Sequence, residues 1–137
     1  MEIRLDKKAA VKKIKSLVLS SKGDIEPFRV KLEKNFKTDF LPNRVERTEK
    51  SYFGVKCDIL SPEVFASNRV VIYIHGGSFV GGSRESWRGF CSNFAHAVSS
   101  RVVVPEFRLA PSYQFPASLE HIECLIRGII AEGNAAV

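Results

Sequence analysis

The spacing of hydrophobic residues divides the chain into a front segment and a main part near residue 43. In the front segment, apolar residues recur three or four positions apart between lysines, which predicts an amphipathic helix over 3–20 that ends at Gly23. The same spacing predicts a second helix over 27–36. The apolar positions of the two helices are Ala10, Val11, Ile14, Leu17 and Val18, then Phe28, Leu32 and Phe36. Pro42–Asn43 breaks the pattern.

An alternating pattern follows between residues 45 and 60. It predicts two strands that turn at Phe53–Gly54. Because successive side chains of a strand point to opposite faces, Val55, Cys57 and Ile59 should face one side of the sheet. Lys56 and Asp58 should face the other side.

From residue 70 the pattern predicts strand, loop, helix, strand, loop and helix. The strands are the β-branched run 70–74, typical of a strand buried on both faces, and 101–104, which ends at Pro105. The first helix has Trp87, Phe90, Cys91, Phe94, Ala95 and Val98 as its apolar positions. The last helix begins at Pro116 and ends at Gly133–Asn134. Its apolar positions are Leu119, Ile122, Leu125, Ile126, Ile129 and Ile130. This order predicts an α/β protein with a mostly parallel sheet flanked by helices.

The positive charge belongs to the front segment. Residues 1–50 carry 14 Lys+Arg against 8 Asp+Glu, whereas residues 51–137 carry 7 of each, so the net charge of +6 comes from the first 50 residues. A basic helix can bind nucleic acid or an anionic membrane. A solvated helical face is the simpler interpretation, because nothing else resembles a nucleic-acid module. We therefore predict no nucleic-acid partner.

Cysteine usage and hydropathy predict a cytoplasmic protein without a membrane span. The three cysteines are widely spaced and include no Cys-x-x-Cys pair, which favours reduced thiols. Lysines interrupt the apolar stretch near the amino terminus, so it does not resemble a signal peptide. The longest uncharged run, 70–83, contains four glycines and is too short to cross a bilayer. His and Cys are scattered without ligand spacing, so we predict neither metal nor cofactor.

The most informative segment is the glycine-rich loop 75–83, which follows a predicted buried strand. Gly76 and Gly81 have the spacing of a phosphate-binding loop, but Gly82 occupies the position of the lysine that such a loop requires. The alternative is an oxyanion hole, in which backbone N–H groups stabilise the negative charge that develops on a carbonyl oxygen during acyl transfer. The His-Gly-Gly sequence after a strand favours this second interpretation.

Three motifs in order resemble the hormone-sensitive-lipase-like esterases of the α/β-hydrolase superfamily. They are Tyr-Ile-His-Gly-Gly-Ser-Phe at 73–79, Glu-Phe-Arg-Leu-Ala-Pro at 106–111 and Phe-Pro-Ala-Ser-Leu-Glu at 115–120. The resemblance covers residues 45–131. It implies the front half of an α/β-hydrolase fold, with 1–43 as a basic, helical, cap-like segment and 44–137 as a partial hydrolase core.

The resemblance also implies roles for particular residues. The backbone N–H groups of Gly77 and Ser78 would face the oxyanion, and Gly76 would permit the tight turn. The ring of His75 would tie the loop to the second motif, Arg108 would brace the loop, and Pro111 would fix the exit of the second motif. The sequence departs from the family at three positions: Ser78 replaces a third glycine, Glu106 replaces Asp, and His121 replaces the last Asp.

The sequence contains no G-x-S-x-G motif, which carries the nucleophilic serine of these enzymes. Ser78 and Ser83 come nearest, but the final glycine is missing in both cases. The last aspartate is Asp58, and His96 and His121 lie in predicted helices, so no acid and base follow a serine in the required order. In these enzymes the nucleophilic serine follows the helix that here ends near residue 131, and one further strand. We therefore expect it to lie outside these 137 residues.

These observations predict the amino-terminal part of a serine carboxylic-ester hydrolase. It would supply the oxyanion-hole loop for a small-molecule ester and would be inactive alone. The alternative is a non-catalytic binding or dimerisation module derived from the same fold. Such a module would associate with itself through an exposed sheet edge, because an unpaired edge strand invites pairing.

Overall fold

A four-stranded sheet with helices on both faces forms the centre of the part of the chain that is described, which is residues 6–38, 41, 44–66 and 68–133 of the computed structural model. The elements in chain order are α1 Lys7–Ser16, α2 Ile25–Phe36, β1 Val45–Tyr52, β2 Val55–Pro62, β3 Val70–Ile72, α3 Arg84–Val98, β4 Arg101–Pro105 and α4 Ala117–Ala131. None of the described helices has the length and apolar character needed to cross a membrane.

The strands lie in the order β1-β2-β4-β3, and the described sheet is mixed, in contrast to the mostly parallel sheet expected from the sequence. Only β3 and β4 pair in parallel; β1 with β2 and β2 with β4 are antiparallel. The turn between β1 and β2 explains the first antiparallel pair. Phe53 and Gly54 both have positive φ, 47° and 85°, which is the backbone of a tight hairpin turn.

Strand β3 is shorter and less buried than predicted. It covers three residues instead of five, and all three are half-buried. The Tyr73 N–H still donates to the Val103 carbonyl oxygen at 2.9 Å, after which the chain leaves the sheet. The reason is position: β3 pairs only with β4 and forms one edge of the described sheet.

Two apolar layers form on opposite faces of the sheet, as the alternating pattern predicts. One contains Val55, Cys57 and Ile59 with Leu125 and Ile129 of α4. The other contains Leu60, Val102 and Val104 with Cys91 and Ala95 of α3. Each fully buried aliphatic side chain of this kind contributes about 1.5–3 kcal/mol, so these layers supply most of the driving force for folding.

The front helices differ in how far they join this core. Helix α1 is capped by Asp6 and ends at Ser16, short of the predicted end at Gly23; of its predicted start, residues 3–5 lie outside the described residues. None of its side chains is buried. Helix α2 is capped by Asp24 and buries Phe28 and Leu32. Its last residue, Phe36, stacks on Trp87 of α3 with ring centroids 4.5 Å apart, so α2 is attached to the hydrolase-like core.

The last helix, α4, begins after Pro116 as predicted. It buries Ile122, Leu125 and Ile129, whereas Leu119 and Ile130 are exposed. Gly128 allows α4 to approach β1, because a Cβ there would lie 2.9 Å from the Cβ of Tyr52. The predicted end at Gly133–Asn134 is described only as far as Gly133, which has a positive φ of 76°.

A charged cluster is buried beneath α3. Asp58 is fully buried on the side of the sheet opposite Val55 and Cys57. Its carboxylate oxygens lie 3.0 Å from Arg47, 3.1 Å from Arg84 and 2.6 Å from Arg88. The cluster ties β1, β2 and α3 together by charge-assisted hydrogen bonds.

Candidate oxyanion-hole loop

The glycine-rich loop leaves the carboxyl end of β3 and folds back on itself. The carbonyl oxygen of Gly77 accepts from the N–H groups of Val80 at 3.1 Å and Gly81 at 3.0 Å. Gly77 has φ of +145°, and a Cβ at this position would lie 2.0 Å from the carbonyl oxygen of Gly81. A side chain therefore cannot be accommodated at Gly77 without opening the loop.

The N–H groups of Gly77 and Ser78 are among several backbone donors of this loop that have no acceptor in the described part of the chain. Ser78 and Phe79 both adopt the left-handed conformation, with φ of 55° and 58°. Successive N–H groups in such turns form concave anion-binding surfaces. The backbone here accommodates Ser78, which replaces the third glycine of the resembled motif, in a conformation that residues with side chains adopt at some cost.

His75 lies buried at the base of the loop. Its Nδ1 is 3.0 Å from the carbonyl oxygen of Gly76, to which the neutral ring can donate, and its ring packs 4.5 Å from Phe107 in the second motif. Gly82 passes so close that a Cβ there would lie 2.8 Å from Nδ1. Burial lowers the pKa of His75, and the Gly76 carbonyl opposes that effect only in part.

The lowered pKa of His75 predicts that the fold weakens in mild acid. A histidine with a depressed folded pKa stabilises the fold above its unfolded pKa of about 6.5, and this contribution is lost as the pH falls below that value. The free energy of unfolding, measured by urea denaturation at about pH 7.5 and at about pH 5.5, should be lower at the lower pH. The pKa of His121 is also lowered, by burial and by Arg108, so the His75→Gln/His121→Gln variant should show the smallest pH dependence. A double variant with the wild-type slope would contradict the assignment.

Arg108 was expected to brace the loop, but the described contact of its side chain is with Tyr113, in the segment before α4. Its guanidinium is stacked over Tyr113 at 5.1 Å. Its backbone N–H donates to Nδ1 of His121 at 3.2 Å, and its carbonyl oxygen accepts from the hydroxyl of Ser118. Arg108 therefore organises the segment that precedes and begins α4, including His121.

Arg29 of α2 makes the bracing contact. Its Nε donates to the Val80 carbonyl at 2.6 Å, and a terminal nitrogen donates to the Ala110 carbonyl at 3.0 Å. A backbone hydrogen bond from Ala110 N–H to the Phe79 carbonyl, 2.9 Å, joins the same two segments. Sequence reasoning missed Arg29 because it stands 51 residues before Val80, and no local pattern links the two.

Neither the serines of the loop nor the two buried cysteines have the surroundings of an activated nucleophile. Ser83 caps α3 and donates to Glu33 of α2 at 2.8 Å. No described histidine forms a hydrogen bond with Ser78 or Ser83, so neither serine has a base to take its proton. Burial raises the pKa of both Cys57 and Cys91 to about 12, which keeps their thiols protonated and unreactive.

An apolar groove of about 450 Å³ lies beside the loop. It runs from Phe79 to the first turns of α4 and is lined by Ile74, Phe79, Phe107, Ala110, Tyr113, Phe115, Pro116, Ser118, Leu119 and Ile122. Phe115 is 89% exposed and Phe79 66% exposed, which is unusual for large apolar side chains. The groove thus lies at the carboxyl ends of β3 and β4, where α/β proteins bind ligands, and Phe79 joins it to the glycine-rich loop.

Comparison with known proteins agrees with this architecture. Residues 71–136 match the sequence model of a family described as having the alpha/beta hydrolase fold. The chain is 29% identical over 83 residues to a putative acetyl-hydrolase, LipR, of Mycobacterium tuberculosis, covering 61% of this chain and 27% of that protein. It is 36% identical over 65 residues to the esterase LipI of the same organism, covering 47% and 20%. The chain therefore spans about a quarter or less of the length of these curated relatives.

A solved structure extends the likeness to the front segment. An esterase of the bacterial hormone-sensitive lipase family superposes with a TM-score of 0.78 at 24% identity, covering 93% of this chain and 43% of the other. The mixed sheet with an apolar layer on each face is the architecture of a partial α/β-hydrolase fold. The chain is a hormone-sensitive-lipase-like α/β hydrolase by its similarity to that family model and to these esterases.

Proposed function

We propose that this chain supplies the oxyanion-hole part of a serine carboxylic-ester hydrolase. The observation that carries the proposal is the glycine-rich loop, in which the N–H groups of Gly77 and Ser78 have no acceptor among the described residues and the next residue, Phe79, lines an apolar groove. Two preset donors stabilise a tetrahedral intermediate without reorganising as charge develops. The groove gives the acyl part of an ester an apolar surface beside those donors.

The remaining residues have supporting roles in this proposal. His75 and Gly76 hold the base of the loop, while Arg108 orders the segment before α4. Residues 1–43 act as a cap-like segment, since Arg29 and Glu33 of α2 bond directly to the loop and to the start of α3. The three free cysteines fit a reducing, cytoplasmic compartment.

The nucleophile comes from outside these 137 residues in this proposal. The relatives are several times longer than the matched region, and the sequence in hand has no G-x-S-x-G. In the described sheet β3 pairs on one side only, and Ile74, two residues after β3, lines the groove. A segment that added a strand to β3 would bring its own serine next to the Gly77 and Ser78 N–H groups.

A chimeric enzyme tests the proposal. Residues 1–133 of this chain are joined to the part of LipI that follows its matched region, and hydrolysis of p-nitrophenyl butyrate is measured. We expect ester turnover by the chimera and none by the 137-residue chain alone, because the chain has donors for the oxyanion but no activated serine.

The matched variant is Ser78→Ala, which removes a hydroxyl but keeps the backbone N–H and should leave the chimera active. A chimera that melts cooperatively yet hydrolyses no ester contradicts the proposal. So does turnover by the 137-residue chain that disappears in Ser78→Ala or Ser83→Ala, because the nucleophile would then lie within this chain.

A binding or dimerisation module is the second candidate, and the open edge of β3 favours it. Half-buried, apolar Val70, Val71 and Ile72 could pair with the same strand of another copy. A dimer in analytical ultracentrifugation that dissociates in Val71→Lys would favour this candidate over the first.

A further inference from the structure

Helix α1 presents an apolar face that no part of the described chain covers. Val11 and Ile14 are 49% and 63% exposed, Val18, two residues after the helix, is 66% exposed, and none of the ten residues of the helix is buried. By contrast, the neighbouring α2 buries Phe28 and Leu32 against the core. The hydrophobic stripe of α1 therefore does not serve packing within the described fold.

The charges of α1 are all of one sign and lie beside this stripe. The helix contains five lysines and no acidic residue, and Asp6 acts only as its cap. At about 100° of rotation per residue, Val11 and Ile14 lie about 60° apart on one face of the helix, and Lys7, its first residue, projects between them. Lys8, Lys12 and Lys15 then lie on one side of that face, and Lys13 lies on the other. No described carboxylate forms an ion pair with any of these lysines.

We propose that α1 docks on the surface of an anionic phospholipid bilayer. An interfacial helix buries its apolar face at the boundary of headgroups and acyl chains while its lysines reach anionic headgroups. Both features of α1 are used in this arrangement, because the lysines that flank the apolar face extend towards the headgroups. A nucleic acid would use the charges alone and would leave Val11, Ile14 and Val18 in water.

Co-sedimentation of the whole 137-residue chain with lipid vesicles tests this proposal. The vesicles are either pure phosphatidylcholine or phosphatidylcholine with about one third phosphatidylglycerol, at low salt and at about 0.5 M NaCl. We expect binding to the anionic vesicles at least about tenfold tighter than to the neutral ones, and weakened by salt. Equal binding to both vesicle types, or no binding to either, overturns the proposal.

Three double variants separate the contributions. Val11→Ser/Ile14→Ser removes the apolar face and Lys12→Glu/Lys13→Glu reverses charge on α1; each should weaken vesicle binding at least about tenfold. Lys31→Glu/Lys34→Glu makes the same charge change on exposed positions of α2 and should weaken it far less. All three should melt close to the wild-type temperature, because α1 buries no side chain and Lys31 and Lys34 are exposed on α2.

Competing occupants of the face give different results. If the α2 control loses as much binding as the α1 charge variant, net charge alone is responsible and the proposal fails. Binding to duplex DNA that is tighter than to vesicles and insensitive to Val11→Ser/Ile14→Ser would identify a nucleic-acid surface instead. If that variant inactivates the LipI chimera but leaves vesicle binding unchanged, the face covers the rest of the hydrolase. Vesicle binding does not depend on ester turnover, so the proposed function and this proposal can fail separately.

Discussion

Asp58→Asn should destabilise the protein by about 3–5 kcal/mol, because it removes the fully buried carboxylate that the buried Arg84 and the half-buried Arg88 share. Asp58 is fully buried, and its carboxylate bonds to three guanidinium groups. Arg84 retains Glu49 at 2.7 Å and Glu106 at 3.1 Å, but Arg88 has no other carboxylate among the described ion pairs. For a domain whose total stability is about 5–15 kcal/mol, this is a large share.

Urea denaturation at neutral pH measures the effect. Glu123→Gln is the matched control, because it removes the same charge from an exposed pair with Arg127 and should leave the midpoint close to that of the wild type. An Asp58→Asn protein as stable as the wild type would contradict this expectation and show that a neutral amide satisfies the arginines equally well. A protein that is unfolded outright agrees with the expectation, and Asp58→Glu, which keeps the charge, should then recover part of the stability.

Gly77→Ala should abolish most of the activity of the LipI chimera. The added Cβ would lie 2.0 Å from the Gly81 carbonyl oxygen and 2.6 Å from its carbon, so the loop must open and the two N–H groups must move. Loss of one oxyanion donor costs about 10²–10³ in kcat, and displacement of both should cost at least that much. KM should change little, because the donors act mainly on the transition state.

Two comparisons isolate the role of the loop. Gly54→Ala places a side chain at another positive-φ glycine, φ +85°, where no atom lies within 4 Å, and should keep the chimera active. Ser78→Ala should also remain active. Full activity in Gly77→Ala would show that these N–H groups do not stabilise the oxyanion. A lower melting temperature with unchanged kcat would give the glycine a purely structural role.

Much of the fold follows from local patterns. The alternation over 55–59, the strand 101–104 and the start of α4 at Pro116 all appear in the structure where they are expected. These patterns are reliable because periods of two and of about 3.6 are set by backbone geometry. The glycine-rich loop was also evident, since few other residues tolerate the backbone of Gly77.

Other features depend on contacts between residues that are distant in sequence. In the sequence, Asp58 looks like any other polar residue of an alternating strand. Its buried, charge-paired position becomes evident only when Arg84 and Arg88 of α3 are placed above it. Arg29 braces the loop only because α2 packs on α3, and Arg108 turns instead to Tyr113. The mixed pairing of the sheet likewise depends on how strands assemble, which no single segment specifies.

The sequence by itself determined the element types, the two faces of β2, and the loop in which backbone N–H groups can meet an anion. Each of these depends on steric limits or periodicity within a few neighbouring residues. The tertiary structure alone decided that β3 is a half-buried edge of the described sheet, that α2 is packed and α1 is not, and that the groove opens beside Phe79. The physical reason is that burial and charge pairing depend on tertiary contacts between segments that are distant in sequence. No single segment specifies those contacts.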